Sequence, residues 1–123
     1  MSTLNEYLTE LAELLSDEEV PAFDYIPERF TPAAVLVLPG TPYVEPGETF
    51  GEHQANFEIW LVAPQGTNKV VTDFLNNSLQ KNIPVLLENG YAVEGVDEPF
   101  IFQPGNAQYL TVVLRVSTAI RFT

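Results

Sequence analysis

The chain has no cysteine, which rules out a disulfide framework, thiolate chemistry and any zinc site built on Cys. Histidine is almost as scarce, with His53 standing alone. Basic residues number five against 17 acids, for a formal net charge of −12. Wrapping nucleic acid or lying on an anionic membrane requires a basic face, and five cations among 17 acids do not build one. No apolar run approaches the roughly 20 residues of a membrane helix. The opening "MSTLNEYLTELAELL" lacks a basic region and carries acids within its apolar pattern, unlike a secretory signal. A soluble protein made in the cytoplasm is the expectation. The G-x-S-x-G turn, the P-loop and the dinucleotide-binding glycine pattern are missing as well. "GTPYVEPG" does hold glycines, but its prolines remove the amides that would cradle a phosphate.

What is present suits one folded unit. A length of 123 residues fits a single domain, 1–123, and 46% hydrophobic residues are enough to offset the entropy of ordering. Ten prolines fall mostly between candidate strands, which argues for sharply shaped connections. The acidity is regional. Residues 1–64 hold twelve acids and one base, Arg29, whereas residues 65–123 hold five acids and four bases.

Leu4, Tyr7, Leu8, Leu11, Leu14 and Leu15 recur at helical spacing, with Glu6, Glu10 and Glu13 on the outer side. Thr3 and Glu6 have the spacing of a capping box, and Pro21 stops the helix. "AFDYIPERF" predicts a short extended piece. "AAVLVL" (33–38) predicts a central strand buried on both faces. Pro39, Gly40, Pro42, Pro46 and Gly47 then predict a proline-stiffened loop. From Phe50 to Ala63 a long strand is expected, with Phe57, Ile59 and Leu61 on one face and Glu58, Trp60 and Val62 on the other; its polar start should project out of the sheet. Thr67 or Asn68 is placed to cap a second helix with Val70, Val71, Phe74, Leu75 and Leu79 as its apolar face, closed by Asn82 and Pro84. "YAVEGV" and "PFIFQ" read as short strands. "QYLTVVLRVSTAIRF" (108–122) has strict period two, with Leu110, Val112, Leu114, Val116, Ile120 and Phe122 on one face and Thr111, Arg115, Ser117 and Arg121 mostly on the other. The expected fold class is α+β, a mixed, mainly antiparallel β-sheet with two α-helices packed on one face.

The chemical census is short. His53 has Glu52 beside it and Glu48 and Glu58 within reach along the strand, but no second histidine supports a metal site. Asp97–Glu98 is a carboxylate pair of the kind chance produces in so acidic a chain. Trp60 and the aromatics Phe50, Phe57, Phe100, Phe102 and Tyr109 fit a core better than a base-stacking platform, which needs a basic groove. No catalytic residue, cofactor or metal is expected. The features left over are the proline-rich loop, the strand that outruns its apolar part, and Arg115 and Arg121 on a polar strand face. These suit subunit contacts, since a guanidinium pairs bidentately with a neighbour's carboxylate. A closed ring joins two different patches of one chain, and an acid-rich half against a base-bearing half would supply such a pair.

The succession of an acidic amphipathic helix, "AAVLVLPGTPYVEPGETFG", "FEIWLVAPQG", "TNKVVTDFL" and a terminal "YLTVVLRVSTAIRF" resembles the small tail terminator (tail completion, head-tail joining) proteins of long-tailed noncontractile phages. The resemblance spans nearly the whole chain through its pattern of strands and loops, with no invariant signature. It implies an α+β fold and a ring, hexameric in the family, that caps the tail tube, stops its polymerisation and presents a surface to the head-tail connector. The partners implied are further copies of the chain, the major tail tube protein and the connector protein. DNA would pass through the lumen without specific binding, and the place of action would be the head-proximal end of the tail in the virion. By analogy the loop 39–50 and the polar strand start 51–56 contact the tube or an adjoining ring. The interface candidates are therefore Tyr43, Glu45, Glu48, Phe50, Glu52 and His53, together with Arg115 and Arg121. Two alternatives stay open: another head-tail joining or minor tail protein, or a free acidic module that mimics nucleic acid and blocks a basic groove.

Overall fold

The computed structural model describes residues 4–17, 20–27, 33–47, 51–103 and 107–121, with only the backbone of Arg121. Thr3, Glu48, Phe50 and Phe122 lie outside the described residues.

The fold is α+β: α1 (Leu4–Leu15), β1 (Ala22–Phe23), β2 (Ala34–Pro46), β3 (Glu52–Val62), α2 (Asn68–Glu88), β4 (Ala92–Val96), β5 (Phe100–Phe102) and β6 (Tyr109–Arg121). The strands form one six-stranded sheet in the order β1-β2-β3-β6-β4, with β5 also on β6. Every pairing is antiparallel except β1 with β2.

Both helices pack on the same face of the sheet. Leu11 and Leu15 of α1 and Leu75 and Leu86 of α2 join Val35, Val37, Phe57, Ile59, Leu61, Leu114 and Val116 in one buried cluster. This confirms the alternation in β3 and β6. Phe57, 1% exposed, lies between Tyr7 of α1 (ring centroids 6.4 Å apart) and Tyr43 of β2 (6.0 Å, edge-on). The opposite face carries a smaller cluster at one end, with Leu36, Val62 and Tyr109 buried and Trp60 edge-on to Phe100 and Phe102.

Several expectations from the sequence are corrected. The proline-rich stretch 39–46 is no loop; β2 continues to Pro46 through an irregularity between Pro39 and Val44. β1 covers only Val35 and Leu36, so from there on β2 has a strand on one side alone among the described residues. Proline is tolerated at such an edge because no partner there requires its missing amide. Second, although Ala34, Val35, Leu36 and Val37 are buried as expected and lie between β1 and β3, the strand with partners along both sides for most of its length is β3. Third, the polar start of β3 does not project, since Glu52, His53 and Gln54 pair with Arg121, Ile120 and Ala119, and His53 and Gln54 also with Pro46 and Glu45. A polar residue is accommodated there because the strand is satisfied by its backbone ladder on both sides, whatever its side chains.

Fourth, α2 does not close at Asn82 and Pro84 but runs to Glu88 with Pro84 inside it. Pro84 and Gln80 are both exposed, so water can serve the Gln80 carbonyl that the missing amide leaves free. Burial of Asn82 and Leu86 anchors the helix on either side. Its end is a Schellman cap, with Tyr91 N donating to Leu86 O at 3.1 Å, Gly90 N to Leu87 O at 3.4 Å, and Gly90 at φ +87°. At the other end Thr67 is the N-cap, its hydroxyl accepting from Val70 N at 3.3 Å. Val70, expected on the buried face, is exposed.

Phe57→Ala removes the ring that ties α1 and β2 to the sheet and is expected to cost about 3–5 kcal/mol in urea unfolding. Thr67→Ala should cost about 1 kcal/mol.

Candidate functional site

β2 and β3 bring Tyr43, Glu45, Glu52 and His53 to one end of the sheet. Their roles there differ. Tyr43 is half-buried against Phe57, and burial raises its phenol pKa. It acts more as a core aromatic than as a loop tip. Glu45 lies on the face away from the helices, where its Oε1 accepts from Gln54 Nε2 at 3.1 Å and Asn56 Nδ2 at 3.0 Å. The same Asn56 Nδ2 donates to Pro42 O at 2.9 Å, tying the irregular part of β2 to β3. Glu52 stands opposite Arg121 in register, and Glu52 O accepts from Gly47 N at 2.9 Å. His53 pairs with Pro46 and Ile120 and is half-buried. Glu48 and Phe50 lie outside the described residues, as does the side chain of Arg121.

Arg115 sits on the helix-free face of β6 but is already engaged. Its Nε donates to Asp97 Oδ1 at 3.0 Å and Oδ2 at 3.1 Å, and Nη2 donates to Oδ1 as well. The guanidinium fork expected to seek a neighbour's carboxylate has thus found one in its own chain. Asp97, considered above only as half of a carboxylate pair, is held below the usual carboxylate range by that bond. Lys69 pairs with Asp73 at 3.2 Å, and Lys81 pairs with Asp17. Each of the three basic side chains described is therefore bound within the chain.

Three carboxylates of the helix-free face take neutral donors instead. Glu45 has the two amides, Glu58 accepts from Trp60 Nε1 at 3.0 Å, and Glu94 accepts from Ser117 Oγ at 2.5 Å. Such bonds fix these side chains in place with neutral groups, and only Glu58 also feels a cation, Arg115 opposite it in register, among the described side chains. At the end of this face a groove of about 310 Å³ lies between Glu52, His53, Glu94 and Ser117. Among the described residues no group of three or more His, Asp or Glu is placed to hold a metal ion, and no helix is long and apolar enough to cross a membrane.

A second groove, of about 630 Å³, lies where the start of α2 meets β5 and β6, and the sequence pattern did not reveal it. Its one sequence signal is Ile101, an aliphatic between two phenylalanines that face the other side of the sheet.

No protein-family model matches the chain, and no curated protein matches its sequence.

The Asp97–Arg115 bond has a consequence for pH. The folded-state pKa of Asp97 is depressed, so the bond stabilises above the unfolded value of about 3.9 and is lost as pH falls through the folded value. Chemical denaturation of Asp97→Asn should show a small deficit against the parent at pH 6–7 that shrinks below about pH 4. A deficit that stays constant down to pH 2 would show that the carboxylate charge plays no part.

Proposed function

We propose that the chain is a structural phage tail terminator, a protein that caps the tail tube as a ring, stops tube growth and meets the head-tail connector. The observation that carries this reading is the fold. The segments on which the sequence resemblance rests form, in order, an acidic helix, a long two-strand unit of β2 and β3, a middle helix and a final strand paired inside the sheet. An α+β domain with helices against a mixed sheet is also the architecture the resemblance implies. In this reading the preset carboxylates Glu45, Glu58 and Glu94 give the acidity a use: a negative wall repels the phosphate backbone and lets DNA slide through a lumen.

One observation favours a second reading. With Lys69, Lys81 and Arg115 all bound within the chain, the free charge is negative, which suits an acidic module that occupies the basic groove of another protein.

Light scattering coupled to size exclusion, over rising protein concentration and salt, separates the two. The terminator should yield a species near six times 13.7 kDa, with a central hole in electron micrographs. That species should grow with salt, because screening weakens repulsion between copies that each carry −12. A monomer under all conditions that captures a DNA-binding protein, with affinity falling as salt rises, would replace this reading with the second.

A further inference from the structure

Large exposed hydrophobic side chains gather at opposite edges of the sheet. Tyr25 and Ile26, 56% and 47% exposed, follow β1, which ends the sheet on one side. Ile101, 55% exposed, lies in β5 beyond β6 on the other side. Ile101 borders the groove of about 630 Å³, whose floor includes Val71 and Leu110 and whose rim includes Gly66, Asn68 and Gln108. Val70, 52% exposed, adjoins that rim; its Cγ1 is 3.3 Å from where a Cβ on Gly66 would stand. Exposed apolar groups with a recess between them mark a contact surface more than scattered singles do.

Charge selects the occupant. Among the described residues no charged side chain lines this groove, although the chain has 17 acids. It is the recess where a second acidic copy meets least repulsion. Lys69 stands next to Asn68 and is 85% exposed. Its pair with Asp73 at i, i+4 is solvent-exposed and weak, so the ammonium can still attract a second carboxylate. The opposite edge is acidic: Asp24 precedes Tyr25, and α1, which packs on β1, exposes Glu6 and Glu13.

We propose that Tyr25 and Ile26 of one copy seat in the groove beside Ile101 of the next, with the acidic edge of the first facing Lys69 of the second. Because the two patches differ and lie at opposite sides of the sheet, the contact is heterologous and repeats head to tail, as ring closure requires. The proposal rests on the ring reading above and names its subunit interface. Tyrosine supplies the main area; an aromatic side chain buries on the order of 150–250 Å². Each interface is small against the roughly 1,600 Å² of a standard one, so assembly should depend on concentration.

The absence of native cysteine makes disulfide trapping direct. The double variant Ile26→Cys/Ile101→Cys is oxidised at high protein concentration and salt, beside each single variant and beside light scattering of the parent. The expected result is a ladder of covalent multimers from the double variant, with the single variants at least tenfold less linked. Efficient dimers from Ile26→Cys alone would indicate a symmetric contact and overturn the proposal. A parent that oligomerises while the double variant fails to link overturns the interface alone. A parent that stays monomeric with no linking overturns both the interface and the ring. Charge variants give an independent readout: Tyr25→Asp and Ile101→Asp should each be monomeric yet form a heterodimer, and nothing larger, when mixed. Assembly by either variant alone contradicts the proposal. Circular dichroism of each variant establishes that it is folded.

Discussion

The antiparallel pairing of β3 with β6 is the constraint on which the rest of the molecule depends. All eleven residues of β3 are matched, from Glu52 opposite Arg121 to Val62 opposite Thr111. With a side-chain period of two, that register alone decides that Phe57, Ile59 and Leu61 meet Val116, Leu114 and Val112 under the helices. It decides equally that Asn56, Glu58 and Trp60 meet Ser117, Arg115 and Val113 on the other face. A slip by one residue would place Glu58 in the core and Phe57 in the open. β2 on one side and β4 and β5 on the other then attach to a platform whose faces are already assigned.

The two faces have different chemistry for that reason. Under the helices the packing is apolar and closes around Phe57. Tyr91 also lies on this side, at the end of α2, where burial and then the charge of Glu10 push its phenol pKa well above the usual range. On the other face the aromatic end is packed by Trp60, Phe100 and Phe102, and the polar end carries carboxylates steadied by amide, indole and hydroxyl donors. Among the described side chains the cation of that face, Arg115, is bound to Asp97. Part of the acidity read from composition thus appears on this face as fixed carboxylates, Glu45, Glu58 and Glu94.

Much of this was legible in the sequence, because period and capping are local signals. The stripe Leu4 to Leu15, the alternation in 57–62 and 110–120, and Thr67 at the start of α2 all fold as their spacing directs. Proline misled twice, for opposite reasons of environment. In β2 it sits on a strand edge that needs no amide, and in α2 it sits on a wet helix face that tolerates a lost bond. Neither environment is written in the neighbouring residues; both follow from where the element lies in the finished fold. The partnership of Arg115 was hidden for a similar reason. Asp97 is 18 residues away in sequence, and it reaches the arginine only because β4 returns alongside β6. Tyr43, Glu45, Glu52 and His53 do share one end of the sheet, and Tyr43 packs on the central ring.

The prolines of β2 also bear on how the chain avoids the wrong kind of association. An open strand edge is a template on which another chain can hydrogen-bond, and long, flat edges of this kind seed fibres. Pro39, Pro42 and Pro46 take three amides out of a thirteen-residue strand, and the irregularity between Pro39 and Val44 breaks the even spacing that an added strand would follow. A newcomer at this edge finds too few donors in step to grow the sheet. Whatever meets the molecule here must do so through side chains, and backbone-templated growth into filaments is discouraged before any partner arrives.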